Sequence, residues 1–306
     1  MRYVFIINPA AGKGKLQEKI SENINAFFSE KNLDFSILYS KEPGDAKALA
    51  SSEAKKGDKV TIFACGGEGT SFEVLNGIYG YDNVTMGVVP CGSANDFLRF
   101  FSVNDSFMNL EEQVDGEEVS VDLIRAGDFY CLNGCSVGMD AIVAKNMFGF
   151  KKWPFVSGSL AYNLAIVKTF LGKIGVRLGI KVDEKDFGEQ DCLFAVIANA
   201  PYYGGGFMGA PKAIPNDQKL NFTKVDLIDR LSILKFLPIY KKGEQEKLDC
   251  CYMSDCDTLE ITSKCDVPVN LDGEIIFTKS IKFEIVKNGI KLLLPKKAVK
   301  KLLINA

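Results

Sequence analysis

Four short apolar runs alternate with helical patterns in the first hundred residues, and each run closes on a turn of small residues. "RYVFIIN" (2–8) is followed by "KLQEKISENINAFFSE", in which Leu16, Ile20, Ile24, Phe27 and Phe28 recur at helical spacing. "DFSILYS" precedes "GDAKALASSEAKK", a helical pattern with Asp45 near its start and Gly57 at its end. "KVTIFA" precedes a helix through "SFEVLNGIYG", and "VTMGVVP" precedes one opening in "ANDFLRFF". A strand lies parallel to its predecessor only after a crossover, usually helical, and such crossovers are right-handed. The alternation therefore predicts an α/β domain on a parallel sheet, with ligands beyond the carboxyl ends of its strands. The turns after Asn8, Ser40, Ala64 and Val89 all leave from that edge.

From about residue 120 the texture changes. "EVSVDLIRAGDFYCLNG" predicts a hairpin turning at Gly127-Asp128. "VPVNLDGEIIFTKSIKFEIVKNGIKLLLP" predicts a run of short strands, with Asn288-Gly289 as a type I′ turn. Helical patterns interrupt at 140–148, 158–172 and 231–240. The expected division is an α/β domain over 1–120 and a second, mainly antiparallel domain over 121–291, with a tail from about 292 to 306 returning to the first.

The chain has 306 residues, 47% hydrophobic and 25% charged, enough apolar side chains for two cores. Its 37 basic and 39 acidic side chains give a net charge of −2, which does not mark a nucleic-acid binder. "YVFII" is too short for an export signal and reads as a strand, and no run of about 18 apolar residues spans a membrane. Nine cysteines, none in a C-x-x-C pair, fit reduced thiols in a cytoplasmic protein better than a disulfide framework. Cys250, Cys251, Cys256 and Cys265 match no zinc spacing. There is no histidine, which excludes a Ser-His-Asp hydrolase and any imidazole base or metal ligand. Carboxylates, lysines, backbone amides or bound ions must carry the chemistry.

The turn "CGGEGTSFEVLNGI" (65–78) is the first candidate. Gly66, Gly67 and Gly69 permit positive φ and a close backbone approach to a ligand. Amides of such a turn at a helix N-terminus form an anion site suited to phosphate, and Thr70 is placed to cap the helix and donate its hydroxyl. Taken alone, the turn is equally a tight strand-to-helix connection. "NPAAGKGK" (8–15) sets Gly12, Lys13, Gly14 and Lys15 after the first strand, but Gln17 breaks a dinucleotide fingerprint and the Walker pattern is not met. "PCGSAND" (90–96) adds Ser93, Asn95 and a second acid, Asp96. Three such turns on one edge, two with acids, point to a nucleotide phosphate site with metal.

The ordered set "NPAAGKG", "GGEGTSFEVLNGI", "PCGSANDFLR", "NGCSVGMDA", "NAPYYGGGFMGAPKA" and "LDGEI" resembles the diacylglycerol kinase catalytic family, from residue 8 to residue 275. That family includes sphingosine kinases and bacterial soluble lipid kinases and is distantly related to NAD kinases. The resemblance implies a nucleotide-binding α/β domain, a β-sandwich-like second domain, and nucleotide in the cleft between them. It places ATP contacts on Asn8, Ser40, Gly66, Gly67, Glu68, Gly69, Thr70, Ser71, Phe72, Ser93 and Asn95. Glu68 takes the place of the acid that holds catalytic Mg2+, with Asp96 nearby. Glu274 matches the general base, with Asp272 as its companion. A second, structural metal falls on Asp217 and the carbonyls of Ile214 and Lys219.

Two departures stand out. The family's usual acid at position 68 is aspartate, and glutamate is one methylene longer. Where the family has D-G-x-L-D, this chain has Asp217-Gln218-Lys219-Leu220-Asn221.

The implied activity is ATP- and Mg2+-dependent transfer of the γ-phosphate to a hydroxyl of a membrane lipid, diacylglycerol first. A sphingoid base, another glycerolipid or NAD is the alternative acceptor on the same scaffold, and a nucleotide-binding protein with little catalysis is the alternative class. The expected partners are ATP and a membrane lipid met by transient peripheral contact, with no nucleic acid; a homodimer stays open. Two segments mix basic and aromatic or apolar residues as an interfacial contact does. One is "KNMFGFKKWPF" (145–155), with Lys145, Lys151, Lys152, Phe148, Phe150, Trp153 and Phe155. The other is "LSILKFLPIYKK" (231–242), with Lys235, Lys241 and Lys242. Each is equally a core helix with snorkelling lysines.

Overall fold

The computed structural model describes residues 1–11, 15–92, 95–151, 158–172 and 174–305. The chain forms two compact units. Unit 1 gathers Met1–Leu123, Ile214–Gln218 and Val286–Ala306; unit 2 holds Ile124–Ala213 and Lys219–Ile285.

Unit 1 begins with β1 (Arg2–Ile7), α1 (Lys15–Glu30), β2 (Phe35–Tyr39), α2 (Asp45–Ala54), β3 (Val60–Gly66), α3 (Glu68–Ile78) and β4 (Val84–Pro90). β1 runs parallel to β2, with Phe5 opposite Ile37, and parallel to β3, with Phe5 opposite Phe63. β3 runs parallel to β4, with Cys65 opposite Val89. β1, β3 and β4 are buried on both faces, so helices must cover both. On one face Phe5 stacks on Phe63 at 4.7 Å, and Ile20, Ile24 and Phe28 of α1 close over Tyr3, Phe5 and Ile7. α2 starts at Gly44 without a cap of its own, and the Glu73 carboxylate of α3 accepts the Gly44 and Ala46 N–H groups at 2.9 and 3.0 Å.

The helix expected in "ANDFLRFF" is a single turn, α4 (Asp96–Arg99), followed by short helices α5 (Asn104–Met108) and α6 (Leu110–Val114). Phe97, Phe100, Phe101 and Phe107 are all buried, so the segment folds around its aromatic rings.

The C-terminus completes unit 1. β13 (Glu274–Leu294) pairs Leu292 in parallel with Met86 of β4, and α10 (Lys296–Asn305) buries Ala298, Val299 and Leu302. The Asn288-Gly289 reversal is a correction: β13 passes straight through it. Asn288 takes the left-handed conformation (φ 51°) inside the strand, and its N–H donates to Asp122. A dipeptide suited to a hairpin here absorbs one left-handed residue without turning the chain.

Unit 2 starts with the end of β5 (Glu117–Ala126), which pairs with β6 (Phe129–Cys131) around the expected Gly127-Asp128 hairpin, Ala126 opposite Phe129. β7 (Gly134–Gly138), β9 (Lys185–Ala198), β10 (Leu220–Asp226), β11 (Cys251–Cys256) and β12 (Thr258–Leu271) follow in antiparallel pairs, with β8 (Val176–Val182) against β9 and β12. α7 (Met139–Lys151), α8 (Gly158–Leu171) and α9 (Arg230–Lys241) supply its helices. Ile233, Phe236 and Tyr240 of α9 pack on Phe194 and Val196 of β9.

Candidate active site

In unit 1, two turns beyond the carboxyl ends of β3 and β4 lie backbone against backbone. The Cys91 N–H donates to Gly66 O at 2.8 Å. A Cβ on Gly92 would fall 2.8 Å from the Gly67 Cα, and one on Gly66 would fall 2.2 Å from Thr70 Oγ1. Glycine is therefore required at 66 and 92 for space. Gly67, the N-cap of α3, has φ −93°, so the positive φ expected there is not the reason.

No side chain caps α3. Thr70, expected as its cap, lies inside the first turn, buried, and its hydroxyl accepts from Asn8 Nδ2 at 3.1 Å. Asn8 thereby ties the end of β1 to the start of α3, and its own Oδ1 accepts the Ala10 N–H at 2.9 Å. Ser40 is buried where β2 ends, its N–H donating to Ile7 O at 3.0 Å. The Ser71 N–H donates to Gly67 O, and Phe72 is buried.

The two acids meet. Glu68, first residue of α3, accepts the Asp96 N–H at 3.0 Å. Asp96 is 1% exposed, and its carboxylate lies 2.9 Å from the Arg99 guanidinium. Asn95 holds a left-handed backbone (φ 49°) and donates from Nδ2 to Gly92 O at 3.0 Å. Asn95 thus fixes the second turn, Asp96 supports Glu68 from behind, and Glu68 is the acid that a ligand at the turn meets first. Ser93, with Gly12, Lys13 and Gly14, lies outside the described residues.

Nearby thiols take no part as nucleophiles. Burial pushes the Cys65 thiol well up and Cys91 to about 11.

A carboxylate such as Glu68 beside backbone amides fits a hard cation such as Mg2+, which takes one or two carboxylates and keeps several waters. Glu68 would hold it, with Asp96 as support. Among the described residues no three of His, Cys, Asp and Glu cluster at metal-ligand spacing. A second cation at 214–218 would rest on Asp217 together with neutral oxygens. The loop offers one: Asn216 Oδ1 is buried with no hydrogen-bond partner. Ile214 O accepts the Asp217 N–H at 3.3 Å, and Lys219, which begins the next segment of unit 2, pairs through Nζ with Asp255 at 3.3 Å.

Sequence reasoning missed Asp122. It is fully buried in unit 1, its Oδ1 accepting the Asn288 N–H and its Oδ2 the Gln218 N–H, both at 2.7 Å. No local motif marks it.

In unit 2, Asp272 and Gly273 make the left-handed turn between β12 and β13 (φ 48° and 100°). The Asp272 carboxylate accepts the N–H groups of Leu132, Asn133 and Gly134 at 2.6, 3.1 and 2.7 Å. Asp272 is thus a clamp that positions the turn. Glu274, two residues on, is exposed at the start of β13. Burial is the largest influence on the Asp272 carboxyl and pushes it up to about 6 against those three donors.

Residues 2–126 match the diacylglycerol kinase catalytic domain, and residues 133–294 match the YegS C-terminal NAD kinase beta sandwich-like domain. The chain belongs to the diacylglycerol kinase catalytic family. As a member of it, the chain is a phosphotransferase with an alcohol acceptor.

Family relatives include a putative lipid kinase of Bacillus subtilis, 26% identical over 299 residues, covering 90% of this chain and 94% of that one. A putative lipid kinase of Staphylococcus haemolyticus is 28% identical over 248 residues, covering 76% and 75%. A solved putative diacylglycerol kinase from Bacillus anthracis shares the fold with a TM-score of 0.78 at 23% identity, over 97% of this chain and 96% of that one. The fold also matches an NAD kinase from Archaeoglobus fulgidus in complex with ATP, with a TM-score of 0.53 at 11% identity, over 100% and 98% of the two chains. Among the described residues of this diacylglycerol kinase family member, no helix is long and apolar enough to cross a membrane.

Proposed function

We propose that the chain is an ATP- and Mg2+-dependent lipid kinase that transfers the γ-phosphate to a hydroxyl of a membrane lipid, diacylglycerol before any other. The observation that carries the reading is the Glu68 carboxylate, held by the Asp96 N–H at the rim of two abutting glycine turns in a family of phosphotransferases. The uncapped amides at the start of α3 suit nucleotide phosphates, with Asn8, Ser40, Gly69, Ser71 and Asn95 as further contacts and Ser93, outside the described residues, expected among them. Glu68 would hold a divalent cation, which would neutralise charge on those phosphates; Asp217, with the carbonyls of Ile214 and Lys219, would hold a second, structural one. Phosphoryl transfer relies on positioning and charge more than on covalent help, which suits a chain without histidine. Glu274 accepts the proton of the attacking hydroxyl, and Asp272 holds the turn that presents it. The names of the curated relatives support a lipid acceptor.

One observation favours a second reading, a nucleotide-binding protein with little turnover. The acid at the first turn is the longer Glu68, and one of its oxygens is engaged by Asp96.

The test is transfer of labelled γ-phosphate from ATP, with Mg2+, to a panel in mixed micelles: diacylglycerol, monoacylglycerol, sphingosine, ceramide and phosphatidylglycerol, with NAD as soluble control. The expected result is label on diacylglycerol, abolished in Glu274→Ala while ATP binding stays within a few-fold. Near-normal turnover in that variant removes Glu274 from the base role. ATP binding with no labelled acceptor selects the second reading, and recovery of turnover in Glu68→Asp would trace it to that side chain.

A further inference from the structure

Cys250 and Cys251 are sequence neighbours at the point where a turn becomes a strand: Cys250 ends the turn after Leu248, and Cys251 opens β11. Neighbours within a strand point to opposite faces. Because Cys250 is still in the turn, both side chains reach the same core cluster, the one that holds Phe236 and Tyr240. Their sulfurs come within 4.0 Å of each other. The backbone fixes this arrangement. The Asp226 N–H donates to Cys250 O at 2.8 Å, the Cys251 N–H donates to Leu248 O at 3.0 Å, and Cys251 lies opposite Val225 of β10. Both thiols are half-buried and open to a small reagent, whereas Cys65, Cys131 and Cys135 are buried.

The spacing decides what the pair can hold. A disulfide fits poorly: neighbouring Cα atoms lie about 3.8 Å apart across a trans peptide, less than the roughly 4.4 Å or more that an unstrained disulfide spans. Two thiolates on one soft centre fit well. At about 2.3 Å from that centre and at tetrahedral angles they lie about 3.8 Å from each other, close to the 4.0 Å found here. Ligand count then selects the centre. Among the described residues no third Cys, His, Asp or Glu completes a metal cluster, so a zinc ion that takes four protein ligands is not served. A soft trivalent arsenic that already carries a carbon substituent needs only the two sulfurs.

The reaction requires no oxidant. With an organoarsenic(III) oxide, both S–H bonds break, two As–S bonds form, and the oxide oxygen leaves as water with the two protons, arsenic staying trivalent. Burial, and next the Cys250 thiol beside it, push Cys251 up to about 12, which leaves little thiolate for an alkylating agent. The oxide takes up the proton that such an agent needs already gone.

We propose that Cys250 and Cys251 form a preformed dithiol site for a soft, thiophilic centre that two sulfurs satisfy, with trivalent organoarsenic as its type. The site shares no residue with the candidate active site, and its test needs no turnover.

The full chain, reduced and then freed of reductant, is titrated with phenylarsine oxide and read by intact mass and peptide mapping. One tightly bound equivalent at Cys250 and Cys251 is expected. Cys250→Ser and Cys251→Ser are each expected to weaken binding by about a hundredfold or more, because the second As–S bond then becomes unavailable. Cys265→Ser, at an exposed single thiol, should leave binding unchanged. If a serine variant folds poorly, wild-type protein decides: the arsenical should block iodoacetamide at Cys250 and leave Cys265 open. Undiminished binding in either serine variant, or arsenic mapped to Cys131 and Cys135, overturns the proposal. Displacement of the arsenical by an equal concentration of Zn2+ does so too, since it would require further protein ligands. Urea unfolding tests whether the fold presets the pair. The bound arsenical should raise the midpoint of wild type and not of Cys251→Ser; a lowered wild-type midpoint would mean that the unfolded chain holds it better and that the site is not preformed.

Discussion

Asp272 and Asp140 are carboxylates whose partners decide their meaning. The motif "LDGE" puts Asp272 beside the candidate base, but its oxygens accept N–H groups from residues 138 to 140 positions away in the chain. A sequence shows the acid and not the donors, so Asp272 looks like chemistry where the structure makes it a clamp. Asp140, at the start of α7, accepts the Ala141 N–H at 2.8 Å. Burial pushes its carboxyl up to about 6, against hydrogen bonds from Ser136 and Tyr203 that pull it down. The folded value lies above the unfolded one, so the fold prefers the protonated acid. Its contribution to stability is full below about pH 4 and is lost as pH rises through about 6. An asparagine keeps the shape and does not titrate. Asp140→Asn is therefore expected to gain on wild type by roughly 1–3 kcal/mol between about pH 4 and about pH 6.5. Urea unfolding across that range measures the gain, and a difference that does not change with pH contradicts the account.

At the scale of elements, much of unit 1 was legible. Alternating apolar runs and helical periods mark β1 to α3 because β1 and β3 are buried on both faces, β2 is half-buried at the sheet edge, and the helices between them pack one side inward. The stops were less legible. The cap of α2 comes from Glu73 on the next helix, and the "NG" turn signal was overridden by the Asn288 bond to Asp122. Two of the three glycine-rich turns read from the sequence lie against each other, but the reason for their glycines was not legible. Gly92 gives room for the Gly67 backbone and Gly66 for the Thr70 side chain, properties of pairs that no single motif contains. Gly92→Ala tests this. Its Cβ would meet the Gly67 backbone at 2.8 Å, so one turn must move. The expected cost is about 1–3 kcal/mol of stability, with nucleotide affinity down about tenfold as the Gly66–Glu68 amides shift. Gly149→Ala, on α7 with open space at its Cβ, is the control and should leave affinity unchanged. Titration with a fluorescent nucleotide reads both, and equal affinities would detach the packing of the turns from binding.

Across the whole molecule, the chain leaves unit 1 after Leu123, returns for Ile214–Gln218, and returns again at Val286. Three segments distant in sequence must therefore find each other, which no periodicity announces. Asp122 is where they join. Its two oxygens hold Gln218 and Asn288, 96 and 166 residues away, and its own N–H donates to Pro215 O at 2.7 Å. Both partners are left-handed, at φ 65° and 51°, a conformation unfavourable for non-glycine residues unless something fixes it. The carboxylate supplies that fixing. Asp122→Ala strands two amides and frees two strained residues, and is expected to cost about 2–4 kcal/mol. Asp122→Asn, which keeps one acceptor, should cost about half as much. Hydrogen exchange locates the effect: the Gln218 and Asn288 amides should lose protection first, while the β1 amides of Tyr3–Ile7 keep theirs. Unchanged protection at 218 and 288 would mean that the returning segments are held by the pairing of Leu292 with Met86 and by the buried face of α10, with Asp122 a passenger.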